Sequence, residues 1–396
     1  MGWIDVVVDT YAESEAPPKF FYWSAMAAIS AVMKKQVFLE RFQYILYPNI
    51  YVFLIAGSGM KKGIPISVAK TLVKKAGESR IISGRNSMPA IIKELGKAKS
   101  LENGGIVKNA QAFLISGELA AFFVKDPDAM TILTDIYNTH EHGDYWENTL
   151  KGTGVDRLKE PCICLLGATN EEHFGSAVSD HDTKGGFIAR TFIVLSIERG
   201  KLNSLTKKPK IMPDTDYLAL YLKELAKLSG GFIYGPNADK TYDDWYYPFM
   251  QTIASDPTGT YNRLGDQVLK VAMLLALSEC PQLVIKESHI IEAIRVCTEC
   301  TNGMRQVTMG AGKSSLAGQT KLVMRELILA KNHILSRREL LQKYWGEFTS
   351  FDLDRIVETL LSADCIEERN PGSPSCVYVL KKAADEMFTK AVRSIQ

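Results

Sequence analysis

The continuous apolar run between Asn49 and Ala56 is the feature that most constrains how this chain can fold. It is rich in strand formers and lacks the polar alternation of a strand with one face in water, so it predicts a strand buried on both faces. A glycine-rich turn follows, and a helical pattern then runs from Ile66 to Ala76, with Pro65 suited to its first turn. Strand, turn and helix in this order favour a parallel α/β sheet.

Three further apolar runs predict buried strands at Ala112–Ser116, Cys162–Gly167 and Thr191–Leu195. Helical stretches separate these runs, as the crossovers of a parallel sheet require. The sequence therefore predicts an α/β core over residues 46–200. Residues 1–45 have apolar residues at helical spacing and predict an N-terminal helical collar.

The rest of the chain predicts two more regions. Residues 201–305 begin with a polar, Lys- and Pro-rich stretch and continue as helices, which we interpret as a helical lid. Residues 315–382 contain three short helical patterns followed by a β-hairpin, which is the element order of a winged helix.

Composition narrows the class of protein. The 396 residues are 46% apolar and 23% charged, as in folded domains, and 47 basic against 45 acidic residues provide no bulk positive field for nucleic acid. The seven cysteines are few and odd in number, which predicts a reducing compartment rather than a disulfide framework. The sequence shows no signal-peptide pattern, and its most apolar helix is much shorter than the roughly 20 residues that span a bilayer. These features predict a soluble cytoplasmic protein without membrane contact.

The turn after the first strand resembles a phosphate-binding P-loop, G-x-x-x-x-G-K-[ST], with Lys62 at the lysine position. Ala56 replaces the first glycine of the pattern, Lys61 the second, and Gly63 the magnesium-binding hydroxyl. The alternative is an ordinary strand–turn–helix with solvated lysines. The candidate phosphate-binding residues are Gly57, Ser58, Gly59, Met60, Lys61, Lys62 and Gly63.

Polar residues also follow two of the other predicted strands. Glu118 comes after Gly117 at the end of the second strand, and Asn170 follows the third. Ligands bind at the carboxyl ends of parallel strands, so both side chains are candidates for placing the water that attacks a γ-phosphate. The alternatives are a surface glutamate that caps a helix and a turn-forming asparagine.

A series of short motifs carries a specific resemblance over about residues 10–300. In chain order they are Glu15-Ala16-Pro17-Pro18, Leu46-Tyr47-Pro48-Asn49, Lys61-Lys62-Gly63, Gly117-Glu118, Thr149-x-Lys151-Gly152-Thr153-Gly154, Leu166-Gly167-Ala168-Thr169-Asn170 and Gly185-Gly186-Phe187-Ile188-Ala189-Arg190. Together they resemble the helicase-like P-loop ATPases of phages and mobile elements, a domain family of unknown function. That family is similar to AAA+ helicases of the minichromosome-maintenance and superfamily 3 type.

The resemblance implies a role for each matching residue. Lys62 becomes the Walker A lysine, Glu118 the Walker B glutamate and Asn170 sensor 1. Arg190 becomes an arginine finger that reaches a neighbour's nucleotide, and Arg263 is similar to a sensor 2 arginine. The implied ligands are ATP and Mg²⁺, and the implied assembly is a ring, most simply a hexamer.

Residues 144–158 predict a β-hairpin around a Lys-Gly-Thr-Gly turn. In the helicases that the chain resembles, a hairpin at this place projects into the pore of the ring. Lys151 at its tip, with Arg157 and Lys159 on the return strand, would then contact single-stranded DNA. A plain surface hairpin is the alternative.

The expected function is ATP-driven DNA translocation or unwinding in the replication of a phage or mobile element, within a bacterial host's cytoplasm, with a primase or initiator as a possible partner. Gly63 and Gly117 occupy the two positions whose side chains usually bind magnesium, and glycine provides no ligand. The alternative is therefore a nucleotide-gated helicase loader or initiator that hydrolyses ATP weakly. A DNA-binding regulator that uses the winged helix is a third reading. Its presumptive recognition helix, Ser350–Leu361, is acidic and disfavours DNA.

Overall fold

The computed structural model describes residues 2–84, 86–97, 99–100, 106–107, 109–119, 122–123, 126, 128–137, 145–150, 154–171, 173–174, 186–202, 214–253, 259–311, 316–373 and 375–381. The chain divides into two compact units, Met1–Ala311 and Gly312–Gln396. The regions expected as collar, core and lid all belong to the first unit.

The first unit contains helices and strands in alternation. Its described α-helices are α1 (Trp3–Thr10), α2 (Pro18–Met33), α3 (Gly63–Ala76), α4 (Met88–Leu95), α5 (Ala129–Tyr137), α6 (Thr215–Leu225), α7 (Ala238–Thr252), α8 (Thr260–Glu279) and α9 (Glu287–Ala311). Its described strands are β1 (Val37–Arg41), β2 (Tyr44–Leu46), β3 (Tyr51–Ile55), β4 (Ile81–Ser83), β5 (Lys99–Ser100), β6 (Ile106–Val107), β7 (Gln111–Ser116), β8 (Tyr145–Leu150), β9 (Gly154–Lys159), β10 (Cys162–Thr169), β11 (Thr191–Leu195), β12 (Gly230–Gly231), β13 (Ile233–Tyr234) and β14 (Val284–Ile285).

A five-stranded parallel sheet lies at the centre of this unit, in the order β11-β3-β10-β7-β4. All four apolar runs predicted as buried strands are in it, which confirms a mixed α/β fold with a parallel sheet. Tyr51, the first residue of β3, pairs with Leu165 of β10 on one side and with Thr191 of β11 on the other.

Helices cover both faces of the sheet. Val52 and Leu54 of β3 pack into a core that includes side chains of α2, α3, α8 and α9. The alternate residues of β3, Tyr51, Phe53 and Ile55, pack into a second core with side chains of α4 and α5. Every residue of β3 is fully buried, as its unbroken apolar sequence predicts.

One local expectation was wrong. Residues 37–45, expected as part of the helical region 1–45, belong instead to the antiparallel pair β1–β2 and its turn. Lys34 follows the last residue of α2 with φ 54° and ψ −126°, which is not helical, and so the helix ends there. Val37 and Leu39 are then buried while Glu40 is exposed, which is the period of a strand.

The second unit comprises α10 (Ala317–Leu329), α11 (Arg337–Lys343) and α12 (Ser350–Ser362), with β15 (Ile334–Ser336), β16 (Ile366–Arg369) and β17 (Val377–Leu380). The strands form an antiparallel sheet in the order β15-β17-β16 around a core with Leu327, Leu340, Leu353 and Tyr378. The predicted helices and hairpin are present, and β15 adds a third strand that sequence patterning missed.

Among the described residues, no helix has both the length and the apolar character to cross a bilayer.

A buried lysine joins α8 to the sheet. Lys270 Nζ donates to Asn49 Oδ1 (2.6 Å) and to the Asn49 carbonyl (3.2 Å), just before β3, and lies 4.1 Å from the centroid of the Tyr137 ring. Burial is the main cause that lowers the pKa of Lys270 to about 7. Cys162 and Asp266 oppose that shift, and Arg190 and Lys35 add to it.

This burial predicts a pH dependence of stability. Between pH 7 and 10.5 the unfolded chain holds a proton at Lys270 that the folded chain has lost, so stability conferred by this residue rises with pH. We expect the free energy of unfolding of the natural chain, relative to that of Lys270→Met, to increase by at most about 1.4 kcal/mol per pH unit over this range. Denaturant titrations of both proteins at several pH values measure the difference, and a pH-independent difference contradicts the prediction.

Candidate phosphate-binding site

The strands of the sheet end at one edge, which we call the carboxyl edge. Residues 57–63 follow β3, Glu118 lies two residues after β7, and Asn170 follows β10 directly. In the sheet, β10 lies between β3 and β7. Asn170, at the end of β10, therefore lies between the loop that follows β3 and the Glu118 that follows β7. The sheet thus collects at one edge three elements that are far apart in sequence.

The loop between β3 and α3 has the backbone geometry of an anion site. Gly59 (φ 81°) and Lys61 (φ 53°) are left-handed, and the Lys62 between Lys61 and the helix is right-handed (φ −51°). Alternation of this kind turns neighbouring amide groups towards a common concavity. Among the described residues, no carbonyl or side chain accepts from the amides of residues 57–63. These donors and the N-terminus of α3 are available to an anion.

Lys62 lies across its own loop. Its Nζ donates to the carbonyl oxygens of Ala56 (2.6 Å) and Gly57 (2.8 Å). Burial lowers the pKa of Lys62, and the nearby carboxylate of Glu118 opposes that shift. The ammonium group therefore lies where a bound phosphate would offer it charged acceptors in place of the two carbonyls.

The side chains of Glu118 and Asn170 differ in the contacts that they make within the protein. The Glu118 side chain is exposed at the carboxyl edge. The Asn170 Oδ1 accepts from the amide of His173 (2.7 Å), as in the turn-forming alternative. Its Nδ2 donates to no residue in the described part of the chain, so the amide end of Asn170 remains available to a ligand.

Arg190 lies at the opposite, amino edge of the sheet. It ends the short 3₁₀ helix Ile188–Arg190, and the next residue, Thr191, is level with Tyr51 at the start of β3. The strand between that level and the loop is five residues long, or about 16 Å at 3.3 Å per residue. Arg190 therefore lies a full strand length from the phosphate loop of its own chain.

Arg263, in the first turn of α8, shares this corner with Arg190. The Arg190 Nη1 donates to the Gly186 carbonyl (2.7 Å), and a methyl group added to Gly186 would lie 2.8 Å from that Nη1 and 3.5 Å from Arg263 Nη1. Burial and then the charge of Arg263 lower the pKa of Arg190. Gln267 Nε2, one turn further along α8, donates to the Ala189 carbonyl (2.8 Å) and holds the 3₁₀ turn.

The predicted hairpin is present as the antiparallel pair β8–β9, with Leu150 opposite Gly154. Lys151 lies outside the described residues. Arg157 Nε is 2.9 Å from Glu147 Oε1, and its guanidinium lies 4.0 Å from the centroid of the Tyr145 ring, so it is engaged within the hairpin. The Lys159 side chain is exposed.

Sequence reasoning missed two neighbours of the loop. A methyl group on Gly59 would lie 3.8 Å from Arg199 Nη2, and Lys61 Nζ lies 3.9 Å from Glu15 Oε2. Arg199 lies four residues after β11, at the carboxyl edge. This position after a predicted strand was the only sequence feature that could have indicated a role for Arg199 at the site. Glu15 belongs to a motif that carried the family resemblance but received no role.

In the described part of the chain, the carboxyl edge offers few side-chain ligands to a metal ion. Among the described residues, no three His, Cys, Asp or Glu side chains cluster as metal ligands. Mg²⁺ usually keeps several waters and uses one or two carboxylates plus substrate phosphates, and Glu118 is the carboxylate that the sequence motifs assign to this role. Gly63 and Gly117 contribute no side-chain ligand.

Comparisons with known proteins returned neither a matching family model nor a matching curated protein. The roles of these residues therefore depend on the geometry of the site and on the motifs themselves.

We expect Lys62→Ala to weaken ATP binding by at least about tenfold, because a hydrogen bond to a charged group contributes about 1.5–3 kcal/mol. The matched control is Lys75→Ala, which removes the same charge from the last turn of the same helix. Isothermal titration calorimetry gives both affinities. If Lys62→Ala binds ATP within about twofold of the natural chain, the loop is not a phosphate site.

Proposed function

We propose that this protein is a P-loop ATPase of the AAA+ type that acts as a ring on single-stranded DNA during replication of a phage or mobile element. The observation that carries the proposal is the convergence of the loop around Lys62, Glu118 and Asn170 at the carboxyl edge of one parallel sheet. The order of the strands, with β3 inside the sheet and β10 between β3 and β7, is compatible with this assignment.

The reaction is phosphoryl transfer from ATP to water. Lys62 and the unengaged loop amides hold the phosphates, while Glu118 and the Nδ2 of Asn170 orient the attacking water. Magnesium, when bound with the nucleotide, would neutralise charge on the β- and γ-phosphate oxygens. Glu118 is the side chain at this edge that would help to hold the ion, since Gly63 and Gly117 offer none.

The separation of Arg190 from its own loop supports a ring. A side chain a full strand length away, on the opposite edge, cannot reach the phosphates of its own chain. Arg190 is buried and donates to the Gly186 carbonyl. As a finger it would leave that contact and reach a nucleotide held by a neighbouring subunit, where a guanidinium stabilises the charge that develops in the transition state. Arg263 lies in the same corner and would face the same neighbour. Six subunits is the number implied by the family resemblance.

The β8–β9 hairpin supports a DNA contact. Its two strands pair as expected. The Lys159 carbonyl at its base accepts a hydrogen bond from the amide of Ala110, just before β7, so the base of the hairpin lies near the amino edge of the sheet. Lys151 at the predicted tip and the exposed Lys159 are the candidate phosphate contacts. Arg157 is a weaker candidate because Glu147 and Tyr145 already engage it.

A nucleotide-gated loader or initiator is the second candidate. Gly63 and Gly117 leave two magnesium positions without a side chain, and Asn170 Oδ1 already accepts from His173, which favours slow hydrolysis. A regulator that reads DNA through α12 is less well supported, since Asp352, Asp354 and Glu358 lie on that helix and Arg337 is paired with Asp354. A primase or initiator partner is compatible with the motor and with the loader.

Steady-state ATP hydrolysis with and without single-stranded DNA tests the proposal. We expect turnover that DNA stimulates, and Glu118→Gln should bind ATP but lose turnover because the amide cannot accept a proton from water. Glu198→Gln, an exposed glutamate near the same edge, is the matched control and should keep activity. Tight ATP binding without measurable turnover in the natural chain supports the loader instead.

Mixing two inactive variants tests whether Arg190 acts between subunits. Arg190→Ala should lose about 10³–10⁵ in turnover, as arginine fingers do, while keeping ATP affinity. Mixed with Lys62→Ala protein, it should recover part of the activity, because one subunit supplies the arginine and the other the intact loop. Thermal unfolding and chromatographic size establish that both variants fold and assemble. Mixed rings without recovered activity contradict a finger in trans.

A further inference from the structure

Arg199 lies beside the phosphate loop of its own chain. It follows β11, which pairs directly with β3, and a methyl group placed on Gly59 would be 3.8 Å from Arg199 Nη2. The side chain is exposed at the carboxyl edge. Its position therefore contrasts with that of Arg190, which precedes the same strand and lies at the opposite edge.

Arg199 makes no hydrogen bond or ion pair within the described part of the chain. The neighbouring cations differ in this respect: Lys201 Nζ lies 2.6 Å from Glu13 Oε1, and Lys61 Nζ lies 3.9 Å from Glu15 Oε2. A guanidinium without a partner among the described residues thus lies next to loop amides that likewise have no acceptor there. Both kinds of donor suit the same ligand, a polyphosphate.

The backbone around Arg199 is fixed on both sides. On one side, the Ser196 amide donates to the Ile55 carbonyl at the end of β3 (2.9 Å). On the other, the amides of Gly200 and Lys201 donate to the carbonyls of Glu15 and Ser14 (both 3.0 Å). A methyl group on Gly200 would lie 2.4 Å from two carbonyl oxygens of that N-terminal segment, so only glycine permits this approach. These contacts hold Arg199 near Gly59 before any ligand binds.

We propose that Arg199 is a second cationic ligand for the phosphates of the nucleotide, in the same chain as Lys62. This proposal depends on the proposed ATP site. Lys62 reaches the phosphates from within the loop as a point charge, whereas the planar Arg199 guanidinium reaches them from the Gly59 side and can bind two oxygens at once. Its contribution grows with the negative charge of the phosphate chain, so it favours ATP over AMP. The chain thereby gains positive charge at a site where Gly63 and Gly117 provide no magnesium ligand.

Calorimetric titration of the full-length chain with ATP and with AMP tests the proposal. Arg199→Ala should weaken ATP binding by about tenfold or more, and Arg199→Lys should recover part of that loss because it keeps the charge but not the fork. AMP affinity should fall less. Lys201→Ala, which removes an exposed cation two residues away that Glu13 already neutralises, is the matched control and should stay within about twofold. Equal melting temperatures establish that the variants fold.

The outcomes separate this inference from the proposed function. If the natural chain binds no ATP, or if its ATP affinity does not depend on Lys62, both proposals fail. If ATP binding depends on Lys62 while Arg199→Ala stays within about twofold of the natural chain, only the role of Arg199 is overturned. An equal loss in Lys201→Ala also overturns it, because the effect then arises from general surface charge. A loss confined to the Arg199 variants, and larger for ATP than for AMP, supports it.

Discussion

The burial of β3 on both faces is the constraint on which the rest of the structure depends. Val52 and Leu54 are enclosed by one helical layer, and Tyr51, Phe53 and Ile55 by the other, while β10 and β11 saturate the two hydrogen-bonding sides of the strand. A strand held in this way cannot slide by one residue without exchanging its two apolar faces. The loop that follows it therefore starts from a fixed position, and so do the strand ends beside it.

The sheet separates two groups of cations by the length of its strands. At the carboxyl edge, Lys62 and Arg199 lie beside loop amides that have no acceptor in the part of the chain that the structure describes. At the amino edge, Arg190 is buried against Gly186, and Lys270 is buried against Asn49. Arg263, Gln267 and Lys270 lie on one face of α8. Arg263 is the guanidinium near Arg190, Gln267 bonds the 3₁₀ turn, and Lys270 bonds Asn49 just before β3. In the proposed ring, a ligand at one edge and a neighbouring subunit at the other would engage the same sheet through different side chains.

The sequence predicts those parts of the fold that have a local pattern. The four long strands were predictable because strands buried on both faces need continuous apolar residues, and the β8–β9 hairpin because its turn chemistry is local. The edge strand β4 has only three residues, too few for a periodic signal. Arg199 could not be identified because nothing in its flanking sequence distinguishes it from a solvated arginine. Its place beside Gly59 depends on hydrogen bonds to Ser14 and Glu15, about 185 residues earlier in the chain.

The conformation of Lys61 bears on how the loop departs from the P-loop pattern. The pattern has a glycine at this position, and Lys61 nevertheless adopts the left-handed geometry that glycine adopts without strain (φ 53°). For a residue with a side chain that geometry costs about 1–2 kcal/mol, so the surrounding structure must enforce it. The buried end of β3 fixes the loop on one side, α3 fixes it on the other, and Glu15 lies 3.9 Å from the lysine ammonium. Lys61 therefore occupies the position of the second glycine of the pattern with a positive φ, which these neighbouring contacts hold in place.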